Sequence, residues 1–491
     1  MSEENSNVLS GGLHSKKFIT FICIIIATAI VWNLPIGIFG IDGLTVIQQR
    51  IIAIFVFATL SWLTEAIPSW ATSLAIITTM CLTVSDNSIA LFKAEESETF
   101  GTLLHSKEIM ATFANPVIML FLGGFILAIA ATKSGLDVLL AKNLIRPFGN
   151  KSENVLLGFL LITGFFSMFV SNTATAAMML TFLTPVFAAL PASGKGRIAL
   201  TLSIPVAANL GGMATPIGTP PNAIALQALN DPVGLNMGID FGEWMMFMFP
   251  LVMILLLISW RIILWFFPFT KKTIHLEITG HVHRGWRMWV VCLTFIVTIL
   301  LWLIPSSVTG IDSNTVAMVP MGVFAITGVI NGKDLQEINW SVIWMVAGGF
   351  ALGLGMNGSG LADRAIESIP FGQWSPIVIL LISGFICYFL SNFISNTATA
   401  ALLVPILTVV CAGMGDSLKV IGGTSTILIG IALAASSAMC LPISTPPNAI
   451  AYSTGLVKQN DMLKVGLTAG IISMVLGYGM LFFIGEMHIL G

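Results

Sequence analysis

Charge is scarce in this chain. Of its 491 residues only 21 are Lys or Arg and 23 Asp or Glu, 9% in all, where an ordinary soluble domain has about 25%. A soluble surface cannot be built from so little, and with 56% hydrophobic residues the chain reads as an integral membrane protein. A net charge of −2 with no basic face excludes nucleic acid as a partner. Cys23, Cys81, Cys292, Cys387, Cys411 and Cys440 are scattered through apolar stretches without CxxC spacing, which excludes a disulfide frame or a zinc site. Gly194-Lys195-Gly196-Arg197 lacks P-loop spacing, so ATP-driven work has no support. No acid stands in midspan, where a cation/proton antiporter needs one. No acid pair, His-Glu zinc motif or nucleophile–base set lies at membrane depth either, so nothing points to an intramembrane enzyme.

What is abundant is apolar sequence. Residues 1–17 form a polar tail ending in Lys16-Lys17, with no signal-cleavage pattern after it. Spans need about 20 apolar residues. Eleven candidates follow: 18–39, 45–66, 69–84, 114–133, 199–229, 243–269, 286–305, 314–330, 339–356, 424–455 and 463–486. Two further blocks, 154–190 and 375–413, are too long for one span, and Ser-Asn-Thr interrupts each near its middle. Each is either two short spans or a re-entrant hairpin; both choices cross an even number of times. With the N-terminus inside, every Lys and Arg is cytoplasmic except Arg50, Lys93, Lys107, Arg364 and Lys419. That asymmetry fixes orientation and leaves the C-terminus outside. Trp260, Trp265, Trp286 and Trp289 flank the basic 271–287 loop as interfacial anchors. His281 and His283 in that loop lack a third ligand for a metal. Glu65, at a span end, suits an interfacial cap better than a proton relay.

An internal repeat organises the chain. Gly123-Gly124-Phe125 recurs as Gly348-Gly349-Phe350, and Ser134-Gly135-Leu136 as Ser359-Gly360-Leu361. Ser171-Asn172-Thr173-Ala174-Thr175 recurs as Ser395-Asn396-Thr397-Ala398-Thr399, and Thr219-Pro220-Pro221-Asn222 as Thr445-Pro446-Pro447-Asn448. The spacing is 224 to 226 residues throughout and the order is kept. Five crossings separate equivalent points, so the copies are inverted, the plan of secondary transporters.

Each copy supplies irregular backbone at membrane depth. The stretch 211–221 carries three prolines and three glycines and cannot be continuous helix, and 442–447 repeats the break. Such breaks are tolerated where protein or a watery cavity satisfies the freed groups. Prolines ahead of Asn-Ala-Ile suit the first turn of a new half-helix, whose N–H groups make an anion site. The Ser-Asn-Thr tips offer neutral oxygens to a hard cation and hydroxyl or amide donors to a carboxylate. Ser167 precedes Ser171, and Ser391 precedes Ser395, by one helical turn, so each pair shares a face.

With these doubled motifs and Trp62-Leu63-Thr64-Glu65-Ala66-Ile67-Pro68, the chain resembles the divalent anion/sodium symporter family along nearly its whole length. That family moves dicarboxylates, tricarboxylates or sulfate and includes sodium-independent dicarboxylate exchangers. The resemblance implies an all-α integral membrane fold. It would be an inverted-repeat, elevator-type secondary transporter with 11 transmembrane helices, two re-entrant hairpins and a homodimeric assembly. A scaffold domain would comprise 18–151 and 271–371, and a transport domain 152–270 and 372–491. The resemblance places Asn172, Thr173, Thr219, Asn396, Thr397, Thr445 and Pro446 around the substrate carboxylates. It places one sodium site at Ser167, Ser171, Asn172 and Gly218, and the other at Ser391, Ile394, Asn396 and Ser444. Sodium is thus a candidate coupling ion, and no other cofactor is implied.

One turn departs from the family pattern. Sodium-coupled relatives read Thr-Glu-x-x-Ser-Asn-Thr at the second hairpin, whereas this chain reads Ser391-Asn392-Phe393-Ile394-Ser395-Asn396-Thr397. Sodium symport and sodium-independent exchange therefore both stand as expectations. No Lys or Arg lies in the hairpin tips or broken helices, so amides and half-helix dipoles must hold an anion. Two symmetric sets of them suit a carboxylate at each end of one molecule, such as succinate, malate, fumarate or 2-oxoglutarate. Sulfate and tricarboxylates remain alternatives. A channel is the rival that conductance without counter-flow would reveal.

Overall fold

Backbone immersed in hydrocarbon must satisfy its own polar groups, and helices do so within one segment. The computed structural model describes residues 3–94, 97–188, 190–191, 194–231, 234–274 and 285–486. Among them the chain is helical, with extended pairing only at the isolated bridges Ser85–Leu104 and Lys151–Thr273. His281, His283 and Arg284 lie outside the described residues. Nine helices among the described residues are long and apolar enough to cross a membrane, and shorter apolar helices such as Ser69–Thr83 accompany them. The first helix begins at Glu3, well ahead of the apolar run, and ends at Asn33. The expected 314–330 segment is two pieces, Ser313–Val316 and Met318–Ile326.

Both interrupted blocks are helix pairs. The first hairpin is Ser152–Phe169 followed by Asn172–Ala188; the second is Pro376–Ser391 followed by Asn396–Met414. The proline-rich segments also divide as their composition requires. The first broken helix runs Lys195–Gly212, unwinds, and resumes as Pro220–Asn230; the second runs Thr424–Ser437 and resumes as Pro446–Ser453. In both, proline opens the new half-helix, where its missing N–H costs nothing.

The halves interlock. Each hairpin's first arm packs on the long segment of its own broken helix, but the short half-helices cross over. Pro220–Asn230 lies against Asn396–Met414, and Pro446–Ser453 lies against Asn172–Ala188. Elsewhere, Pro116–Ser134 packs on Met318–Ile326 and Trp340–Gly358 packs on Ser69–Thr83. The Gly-Gly-Phe repeats belong to these crossings. A Cβ on Gly123 would stand 2.5 Å from Ala317 O, and one on Gly348 would collide with the Ser73 side chain. Small residues let membrane helices approach this closely. The second glycine of each pair faces a different neighbour: Gly124 meets Ile217 of the first unwound loop, and Gly349 meets Ala401 of the second hairpin.

The Trp62–Pro68 motif builds a corner between Val46–Thr64 and Ser69–Thr83. Glu65 ends the first helix in the left-handed region (φ 48°), and buried Trp62 donates from Nε1 to Ser69 O at 3.3 Å. Glu65 itself is exposed, the position of a cap.

Candidate functional site

Unwinding a helix at membrane depth frees carbonyls, and one asparagine per half collects them. Asn222 Nδ2 donates to Gly212 O at 3.1 Å, Met213 O at 3.3 Å and Thr215 O at 2.7 Å. Asn448 Nδ2 donates to Met439 O at 2.8 Å and Leu441 O at 2.9 Å. Both asparagines are buried. The Pro-Pro-Asn motif therefore works as a staple: the prolines start the half-helix and the asparagine holds the loop before it.

In the first half, the hairpin tip locks onto this loop. The Asn172 carboxamide, nitrogen inward, donates to Ser167 Oγ at 2.7 Å, Gly218 O at 3.1 Å and Ala208 O at 3.2 Å. Thr215 donates from Oγ1 to Met168 O and accepts from Gly218 N–H at 3.0 Å. With the carboxamide oxygen turned inward instead, Ser167 Oγ, Asn172 Oδ1, Ala208 O and Gly218 O form a cluster of hard oxygens, the donor type a small cation takes.

The second half is held differently. Asn392 donates from Nδ2 to Tyr388 O at 2.9 Å, and its Oδ1 accepts from Cys440 N–H at 2.9 Å and Ser444 Oγ at 3.3 Å. Ser444 Oγ also donates to Asn392 O at 2.9 Å and accepts from Leu441 N–H at 3.0 Å. Asn396 Oδ1 is buried without a hydrogen-bond partner, and Ser391 Oγ has only the weak Cys387 thiol beside it. Leaving such a group unpaired costs about 1–3 kcal/mol, and both oxygens are of the type that accepts a hydrogen bond or faces a hard cation.

These elements meet around one cavity of about 230 Å³. Ser171, Asn172, Thr173, Gly218, Thr219, Asn396, Thr397, Ser444, Thr445 and Pro446 all line it, drawn from both halves. Of the sequence-derived residues, Ser167, Ser391 and Ile394 do not; they are buried behind the tips. Four further polar and aromatic residues, none of them predicted for the site, also line the cavity. Asn209 bridges the halves, donating from Nδ2 to Thr445 Oγ1 at 3.1 Å and to Asn448 Oδ1 at 3.2 Å. Phe121, Phe125 and Asn339 close the cavity from Pro116–Ser134 and the start of Trp340–Gly358. No charged side chain lines it.

Charge enters through the backbone. Beside the start of Trp340–Gly358 at Asn339, four helices of the doubled motifs begin at the cavity, at Asn172, Pro220, Asn396 and Pro446. Each start carries roughly +0.5 elementary charge, so together they present roughly two positive charges, in symmetric pairs. A space of 230 Å³ is smaller than the roughly 300–1,000 Å³ of sites for drug-sized ligands. In size and in charge the arrangement suits a small dianion.

Comparison with known proteins places the chain among membrane transporters. A family model described as citrate transporter, CitMHS, matches residues 55–421. The sodium-dependent dicarboxylate transporter SdcS of Staphylococcus saprophyticus is 31% identical over 481 residues, covering 90% of this chain and 87% of that protein. The inorganic phosphate transporter PHO87 of Saccharomyces cerevisiae is 29% identical across 88% of this chain and 47% of its own length. Among solved structures, the YdaH transporter of Alcanivorax borkumensis aligns over 85% of this chain and 98% of that one. Its TM-score is 0.56 at 13% identity, a likeness of fold.

Proposed function

This chain belongs to the citrate transporter family CitMHS, a family of membrane transporters and not of enzymes, and from that premise we propose that it carries C4–C5 dicarboxylates by alternating access. One carboxylate sits at each Ser-Asn-Thr tip, on the helix starts at Asn172 and Asn396, with Thr173, Thr397, Thr219, Thr445 and Pro446 around it. The carrying observation is the convergence of four helix N-termini, in two symmetric pairs, on a cavity with no charged lining. A dianion there is matched in charge and in symmetry by the two repeated pairs of helix starts, whereas citrate brings a third carboxylate for which the doubled motifs hold no further pair. The transport domain (152–270 and 372–491) moves as a unit against the scaffold (18–151 and 271–371). The protein assembles as a homodimer, and the N-terminus faces the cytoplasm. Asn172→Ala and Asn396→Ala should each abolish the rise in melting temperature given by succinate. Unchanged stabilisation in both variants would sink the assignment.

The observations that bear on coupling pull in opposite directions. Relatives named sodium-dependent, the oxygen cluster at Asn172 and the unpaired oxygens of Ser391 and Asn396 favour sodium as the coupling ion. Asn392, neutral and hydrogen-bonded through both ends of its amide, favours a second half closed without an ion, as exchange requires. Proteoliposomes preloaded with succinate decide between them. Uptake that needs internal substrate and ignores sodium identifies exchange; uptake into empty vesicles driven by a sodium gradient identifies symport.

A further inference from the structure

Two scaffold helices carry matching residues at two separate cavities. Pro116–Ser134 and Trp340–Gly358 are repeat equivalents, and each is capped by an asparagine. Asn115 Oδ1 accepts from Val117 N–H at 2.9 Å, and Asn339 Oδ1 accepts from Val342 N–H at 3.4 Å. Asn339 and Phe125 border the site cavity described above. A second cavity, of about 500 Å³, is bordered by Asn115 and Phe350 together with parts of the first broken helix and the second hairpin. Phe125 and Phe350 are the equivalent third residues of the Gly-Gly-Phe repeats. The cavities lie along different stretches of Trp340–Gly358: Asn339, Val342 and Met345 border the first, whereas Gly349, Phe350 and Gly353 border the second. One member of each equivalent pair thus stands at the site and the other at the second cavity.

We propose that Asn115 and Phe350 are a second substrate-facing wall, taking the place of Asn339 and Phe125 when the hairpin tips stand at the other end of the scaffold. The proposal rests on the alternating-access reading above. In an inverted repeat, exchanging the conformations of the two halves produces the opposite-facing state. A residue that borders substrate in one state is then replaced by its repeat equivalent in the other. The interface suits such a movement. Built Cβ atoms on Gly124 and Gly349 would lie 3.2 Å from Ile217 and 3.3 Å from Ala401, so both scaffold helices turn bare backbone to the elements that move. Each asparagine spends Oδ1 on its cap and keeps its NH₂ for a carboxylate oxygen. Glu108 and Asp231 also border the second cavity and oppose a dianion resting in it. Holding the substrate therefore falls to the hairpin tips, and Asn115 acts only once they arrive.

Aspartate is as good an N-cap as asparagine, so Asn115→Asp and Asn339→Asp keep their helices while adding a negative charge to one wall. The probe is radiolabelled succinate in proteoliposomes of oriented protein, with KM measured separately from each membrane face. A new charge within about 10 Å of a dianion, at an effective dielectric near 20, raises KM roughly tenfold or more. The expected result is that rise at one face for Asn339→Asp and at the opposite face for Asn115→Asp. If Asn339→Asp acts at one face but Asn115→Asp acts at neither or at both alike, the second wall is overturned and alternating access stands. If Asn339→Asp also fails to distinguish the faces, the site assignment falls with it.

Discussion

In the first half of the site, the hydroxyl that ties loop to hairpin sits at the loop's start; in the second half, it sits at the loop's end. Thr215 donates to Met168 O and accepts from Gly218 N–H. Ser444, the equivalent of Gly218, donates to Asn392 O and accepts from Leu441 N–H, and Leu441 is the equivalent of Thr215. Met168 and Asn392 are themselves equivalent. Both carbonyls end a hairpin arm, where the helix supplies no N–H donor for them. What the fold demands is a capped carbonyl, and either end of the loop can provide the hydroxyl. The repeated motifs set the shape of the two halves, while unrepeated residues wire them.

The largest test of that distinction lies in packing. Gly211 sits on the backbone of Gly164, with no room for a Cβ, whereas the second half has Ser437 and Tyr388 at the same places. Gly211→Ala should cost about 3 kcal/mol through overpacking and largely abolish folded protein. Ser437→Ala should cost about 1 kcal/mol, since it removes only a hydroxyl bonded to Leu433 O and Ser473 Oγ, both at 2.7 Å. Detergent melting of the two variants checks this; equal losses would mean the halves are packed alike after all.

Next come the staples. Asn222→Ala and Asn448→Ala each strand buried loop carbonyls and should cost about 2–3 kcal/mol. Their acceptor ends differ: Asn448 Oδ1 receives Asn209 Nδ2, while Asn222 Oδ1 is buried with no partner, because Ala435 stands where a second Asn209 would be. Asn209→Ala removes that asymmetry and should cost about 1–2 kcal/mol. In the Asn448→Ala background it should cost measurably less, since the pair shares one hydrogen bond. Additive losses in the double variant would show that the Asn209–Asn448 bond carries no energy.

The sequence made the doubled half readable and left the single half dark. Ser-Asn-Thr and Pro-Pro-Asn announce themselves by repetition, and their breaks follow from proline and glycine chemistry, so the hairpins and broken helices were legible. So was a cavity built without Lys or Arg. Asn209 has no copy and sits within an ordinary apolar helix, so nothing in the sequence marked it. Phe121 and Asn339 reach the cavity from helices that read as plain spans, and Phe125 was marked only as part of a repeat; packing alone reveals which helix faces are turned inward. The role of Asn392 was legible as a lost charge but not as a two-ended amide, because its partners Tyr388, Cys440 and Ser444 converge only in three dimensions.

The smallest expected effects are the most discriminating. Thr215→Val and Ser444→Ala each remove the hydroxyl that caps the hairpin carbonyl, and each should lower stability by about 1 kcal/mol. In stability the two halves should therefore look alike. In function they should part, because Ser444 is a candidate sodium ligand and Thr215 is not. If sodium binds at the second half, Ser444→Ala weakens the sodium dependence of succinate stabilisation while Thr215→Val leaves it intact; melting curves in sodium and in choline read this directly. If both variants lose the same stability and respond to sodium as the unsubstituted protein does, Ser444 is only a staple. The second half then closes through Asn392 with no ion at all. Any sodium dependence would in that case belong to the oxygen cluster at Asn172.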